Sequence, residues 1–133
     1  MIRITLFVLL LASFGDAFCQ VDVNKPVVTT PASGLDPSVT GRAIMDKITP
    51  ALGLTTDQTS KLTILIGKFL THKSDFMKLK ESNAAEYKKK FNQEQLALFD
   101  GMKEALKADQ YKNFLAMKPS SPDPEIAISH LFF

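Results

Sequence analysis

The sequence predicts an all-α protein: a long antiparallel helical hairpin with shorter N- and C-terminal helices packed at one end. Three observations carry that prediction. Apolar residues recur at three- and four-residue spacing through residues 37–118, the period of a helix with one buried face. Helix-start signals stand at Asp36, Thr55 and Asn83. The two longest periodic segments are matched in length and joined by a very short turn, which sends the second back along the first.

The first helix opens at Asp36-Pro37, where the aspartate supplies an N-cap oxygen and proline loses no hydrogen bond. Val39, Ala43, Ile44, Met45 and Ile48 form its apolar face. Pro50 disfavours helix at Thr49, so the helix is expected to stop or kink there. Gly53 then supplies a backbone that tolerates positive φ.

The second helix begins in Leu54-Thr55-Thr56-Asp57-Gln58. Thr55 and Gln58 have the spacing of a capping box, each side chain reaching the other's backbone N–H. Leu62, Leu65, Phe69, His72, Phe76 and Leu79 follow as a single seam, widened by Ile66, Leu70 and Met77. Glu81-Ser82-Asn83 breaks the pattern, and Asn83 with Glu86 starts a third helix. Tyr87, Phe91, Leu98, Met102 and Ala105 share one of its faces, with Leu96, Phe99 and Leu106 beside them. A bend is expected at Leu106–Gln110, and a fourth helix with Tyr111, Phe114 and Leu115 runs to about Met117.

At about 26 and about 24 residues, the two long helices span roughly 39 and 36 Å. Folding about residues 82–83 pairs Leu79 with Tyr87, Phe76 with Phe91, Leu65 with Phe99 and Leu62 with Met102. The stripe is narrow at the turn and wide at the far end, which places the first and fourth helices at the far end. Gly67 and Gly101 fall within about a turn of each other, marking a close approach or a point of flexure. A thin two-helix arm has little core of its own, which predicts self-association as a homodimer.

The ends read differently. Residues 1–19 have a cationic start, an apolar run of about 11 residues and small residues at Ala17 and Cys19. That is the layout of a secretory signal peptide cleaved after Cys19, implying a periplasmic or secreted protein with no membrane span after cleavage. An uncleaved anchor and lipid attachment at Cys19 are the competing readings; Phe18 is bulky for the second. Residues 20–36 read as a flexible leader rich in Pro, Thr, Val and Ser. Residues 119–133 comprise a Pro/Ser linker and an apolar tail, Ile126–Phe133, that either packs back on the bundle or docks a partner.

The chain has 133 residues, a formal net charge of +2 and one cysteine. The length fits one small domain and excludes a multidomain enzyme. The charge balance argues against a nucleic-acid partner, and one cysteine cannot build a disulfide framework or a Cys-based zinc site. No nucleophile elbow, phosphate-binding glycine loop or H-E-x-x-H motif is present. His72, with Asp75 three residues on, is too small a set for a metal site. These features point to a protein without catalytic residues, cofactor or metal.

The segment Leu52–Gln58 (LGLTTDQ) resembles the LTxxQ motif of the Spy/CpxP-like family of small periplasmic helical proteins; Leu54, Thr55 and Gln58 carry the match. Leu106–Gln110 resembles a degenerate second copy through Leu106 and Gln110, with Lys107 where the motif has threonine. The resemblance implies an ATP-independent holding chaperone or an envelope-stress modulator. The Pro-rich ends depart from the family pattern.

Lys78, Lys80, Lys88, Lys89 and Lys90 cluster around the hairpin turn, interleaved with Phe76, Tyr87 and Phe91. With the resemblance, this cluster makes the tip a candidate surface for unfolded polypeptide or a protein partner. The bland alternative is a solvated surface around a narrow core seam. A structural or interaction module with one dedicated envelope partner is the second functional reading.

Overall fold

Asp36 accepts hydrogen bonds from the N–H groups of Ser38 and Val39 through Oδ1 and so starts α1, Pro37–Leu52. The computed structural model describes residues 34–133; the predicted signal peptide, Cys19 and most of the leader lie outside the described residues. α1 does not stop at Thr49. It continues through Pro50 for one more turn and ends at Gly53, whose φ of 59° lets the Gly53 and Leu54 N–H groups both reach the Thr49 carbonyl. The buried Leu52 gives that last turn its packing, which offsets the missing proline N–H.

Thr55 and Gln58 form both halves of the capping box that opens α2, Thr56–Phe76. The expected 26-residue helix is shorter. At Met77 and Lys78 the backbone stays helical but tightens to three-residue hydrogen bonds before the single turn α3, Leu79–Ser82. Asn83 then caps α4, Ala84–Ala105, accepting from Glu86 N–H. Leu106 and Lys107 are extended and α5 spans Ala108–Ala116, so the expected bend is a full break. A 3₁₀ turn, Ala127–Leu131, lies in the tail. Helices make up this all-α chain, with no strand among the described residues.

α2 and α4 pack antiparallel. Phe76 stacks edge-on to Tyr87, His72 bonds Glu94, Leu65 meets Gly101, and Gln58 reaches the Ala105 carbonyl. This register agrees with the predicted fold-back to within one helical turn. One detailed pair shifts, since the Phe91 ring meets Phe69 rather than Phe76, and Leu65 packs on Gly101. Leu96, predicted beside the apolar face, is exposed instead.

α1 is not confined to the far end of the hairpin. It runs along α2, bringing Gly41 against Leu70 and the Leu35 carbonyl to the Ser74 hydroxyl. The apolar tail packs back on the bundle, with Ile128, Leu131 and Phe132 buried among Phe99, Phe114 and the α1 face. α1, α5 and the tail thereby cover one flank of the α2–α4 seam, where Ile44, Ile48, Leu62, Ile66, Leu70, Met102 and Phe114 form the core.

The two glycines play different parts. A Cβ on Gly101 would stand 2.9 Å from Leu65 Cδ2, so the Leu65 side chain packs directly on this glycine. Gly67 faces open space. Gly67→Ala is therefore expected to stabilise the fold by up to about 1 kcal/mol through helix propensity alone. Gly101→Ala is expected to gain markedly less, because Leu65 must move. Urea midpoints of the two variants check this; a larger gain at Gly101 would contradict the packing.

Candidate functional site

The two motif glutamines, 52 residues apart in sequence, meet side chain to side chain. Gln58 Nε2 donates to Gln110 Oε1 at 2.8 Å, and Gln110 Nε2 donates back to Gln58 Oε1 at 3.2 Å. Each amide has a second proton and uses it on a helix end: Gln58 on the Ala105 carbonyl closing α4, Gln110 on the Leu52 carbonyl closing α1. Each Oε1 also accepts a backbone N–H, from Thr55 and from Lys107. Lys107 has no acceptor atom, so only the glutamine half of the second capping box forms. Leu106 is buried and Leu54 half-buried beside the pair. This is a structural clasp rather than a reactive centre.

The hairpin tip separates into core and surface. Phe76 and Phe91 are buried at 9% and 7% exposure and belong to the core seam, so they offer no surface to a partner. Tyr87 is half-buried, wedged against both rings, and burial raises its phenol above the ordinary value. Lys78, Lys80, Lys88, Lys89 and Lys90 are exposed, and among the described residues none of them makes an ion pair. His72 Nδ1 pairs at 2.8 Å with Glu94 on α4, not with Asp75 on its own helix. Among the described residues no cluster of three or more His, Cys, Asp or Glu has the proximity to hold a metal, and no helix is long and apolar enough to cross a membrane.

Among the described residues, nothing covers the flank of the α2–α4 seam away from α1. Near the clasp it holds a cleft of about 440 Å³ lined by Lys61, Ile64, Leu65, Gly101, Glu104 and Ala105. Ile64 at its edge is 71% exposed. Further hollows continue past Lys68 and Glu94 toward Lys78 and Lys90. Ile64 was hidden in the sequence because it lies off the main seam, next to Leu65 that is on it.

Sequence reasoning also missed Lys73. Its spacing from Ile66, Phe69 and Phe76 places it on the core face of α2, and that position was the available signal. The side chain is 2% exposed. Its ammonium donates to the main-chain oxygens of His130 and Phe133 and lies 4.8 Å from the Phe91 ring centroid, so all three N–H directions are met. Burial, with the charge of Lys80 added, lowers its pKa to about 8. Burial and then the Lys73 charge lower His130 below the ordinary histidine value. Comparison with known protein families, characterised proteins and solved structures finds no match.

The Lys73 shift fixes a sign. The unfolded chain holds this proton up to its ordinary pKa of 10.5, whereas the fold releases it near 8. Above pH 8 the unfolded state binds more protons, so stability rises with pH. Raising the pH from 7.5 to 9.5 is expected to add about 2 kcal/mol, read as an increased urea midpoint. Lys73→Met is expected to flatten the response; an equal rise in that variant would assign the effect elsewhere.

Proposed function

We propose that this chain is a secreted, non-enzymatic helical binding protein of the cell envelope that captures apolar or unfolded polypeptide segments reversibly and without nucleotide. The observation that carries this reading is the flank of the α2–α4 seam left open among the described residues: an apolar cleft with Ile64 at its edge, bordered by Lys61 and continuing to a lysine-rich tip. The meeting of Gln58 with Gln110 supports it from a second direction, since it joins the two segments that carry the LTxxQ resemblance.

The mechanism follows from scale. A client segment covering about 200 Å² of apolar surface gains roughly 5 kcal/mol before ordering costs. Such binding is weak and quickly reversed, which suits holding rather than permanent assembly. The exposed lysines Lys78, Lys80, Lys88, Lys89 and Lys90 steer clients of negative charge and speed encounter. Phe76 and Phe91 act only by stiffening the arm that presents these lysines.

A light-scattering assay tests the reading. The chain is expected to suppress aggregation of several unrelated unfolded proteins in the absence of ATP, and Ile64→Ser is expected to weaken that suppression several-fold with the helical signal unchanged. Failure across all clients, with a single protein recovered by pull-down from envelope extract, would replace this reading with a dedicated-partner module.

A further inference from the structure

Residues 126–133 are held to the bundle in an unusual way. The tail follows Lys118–Glu125, a connection carrying Pro119, Pro122 and Pro124. The carbonyls that end a short helical turn have no partner within it, and here the helices supply the donors. Lys73 Nζ bonds the oxygens of His130 and Phe133, and Gln95 Nε2 bonds that of Leu131 at 2.8 Å. The apolar contacts are as simple: Ile128 and Leu131 are fully buried, and the Phe132 ring sits 5.6 Å from Phe99 and 5.4 Å from Phe114. The groove therefore reads bulk and main-chain oxygens, and no polar side chain of the tail takes part in these bonds.

Two further observations concern how firmly the tail is seated. Docking buries the Lys73 ammonium, whose desolvation opposes it. The cover is also incomplete: a hollow of about 400 Å³ separates Ser129, His130 and Phe133 from Met77, Lys80 and Tyr87. A tethered segment with few polar fastenings, a costly buried charge and an open margin is suited to local release ahead of global unfolding.

We propose that residues 126–133 are a resident, displaceable ligand of this groove, and that the groove accepts in their place a partner segment of the same chemistry. That segment is a short turn with two or three closely spaced bulky apolar side chains and unpaired main-chain oxygens at its end. The groove is lined by residues other than those of the open cleft, so its test is independent of client capture there.

A fluorescent synthetic peptide with the sequence Pro124–Phe133 is the probe. It is expected to bind the full chain carrying Leu131→Ser and Phe132→Ser at least about ten-fold more tightly than the unaltered chain, because the resident tail no longer competes. Adding Gln95→Ala to that variant should weaken the peptide several-fold. Equal affinity for the two chains, or no binding to a variant that keeps its helical circular dichroism, would overturn the proposal. Native-state hydrogen exchange on the unaltered chain is a second readout that needs no variant. The amides of Ser129, Phe132 and Phe133, bonded only within the tail turn, are expected to exchange at least about ten-fold faster than those in the middle of α2 and α4, and faster still with peptide added. Tail amides that exchange only with global unfolding would overturn it.

Discussion

The reciprocal bond between Gln58 and Gln110 is the constraint on which the rest of this fold depends. One amide pair touches the end of α1, the start of α2, the end of α4 and the start of α5. Helix ends leave main-chain groups without partners, and four of them converge here. Each glutamine resolves two such ends and spends its remaining capacity on the other glutamine. The far end of the hairpin is thereby closed by polar geometry, while hydrophobic packing supplies most of the energy along its length.

From that clasp the architecture follows outward. With the Thr55 end of α2 pinned to the Ala105 end of α4, the antiparallel register is set, and aromatic contacts carry it to the turn at Ser82 and Asn83. α1, tied through Leu52 to Gln110, is laid along one flank of α2. The tail fills the remaining space on that flank, and its main-chain oxygens meet Lys73, a charge buried on an otherwise apolar helix face. Among the described residues the opposite flank has no cover, which leaves Ile64 beside a cleft and the tip lysines in solvent. Among the described residues this flank combines apolar area with exposed, flexible cations.

Much of the helical layout was legible in the sequence because it is written in local signals. Asp36, Thr55 and Asn83 mark starts whose physics is complete within three residues. Period and turn length together fixed the hairpin and its approximate register. The misreadings occur where distant residues decide. Pro50 stays helical because Leu52 is buried and Gly53 closes the helix behind it. Leu96 looked like core because spacing alone does not reveal that α4 has neighbours on only part of its circumference. Of the candidate site, the two motif glutamines and the tip lysines could be named from sequence, but not that the glutamines bond each other. That Phe76 and Phe91 are core rather than surface depended on the partner helix, and the role of Lys73 depended on a tail 57 residues away.

A double-mutant cycle at the clasp tests this account most directly. Gln58→Ala and Gln110→Ala are each expected to cost about 1–3 kcal/mol in chemical unfolding, because each strands the partner amide and a helix-end group. The double variant is expected to cost at least about 1 kcal/mol less than the sum, since the second substitution removes a group already left unpaired. Additive losses within about 0.3 kcal/mol would mean that the two amides do not act on each other, and the hairpin would then owe its closure to packing alone.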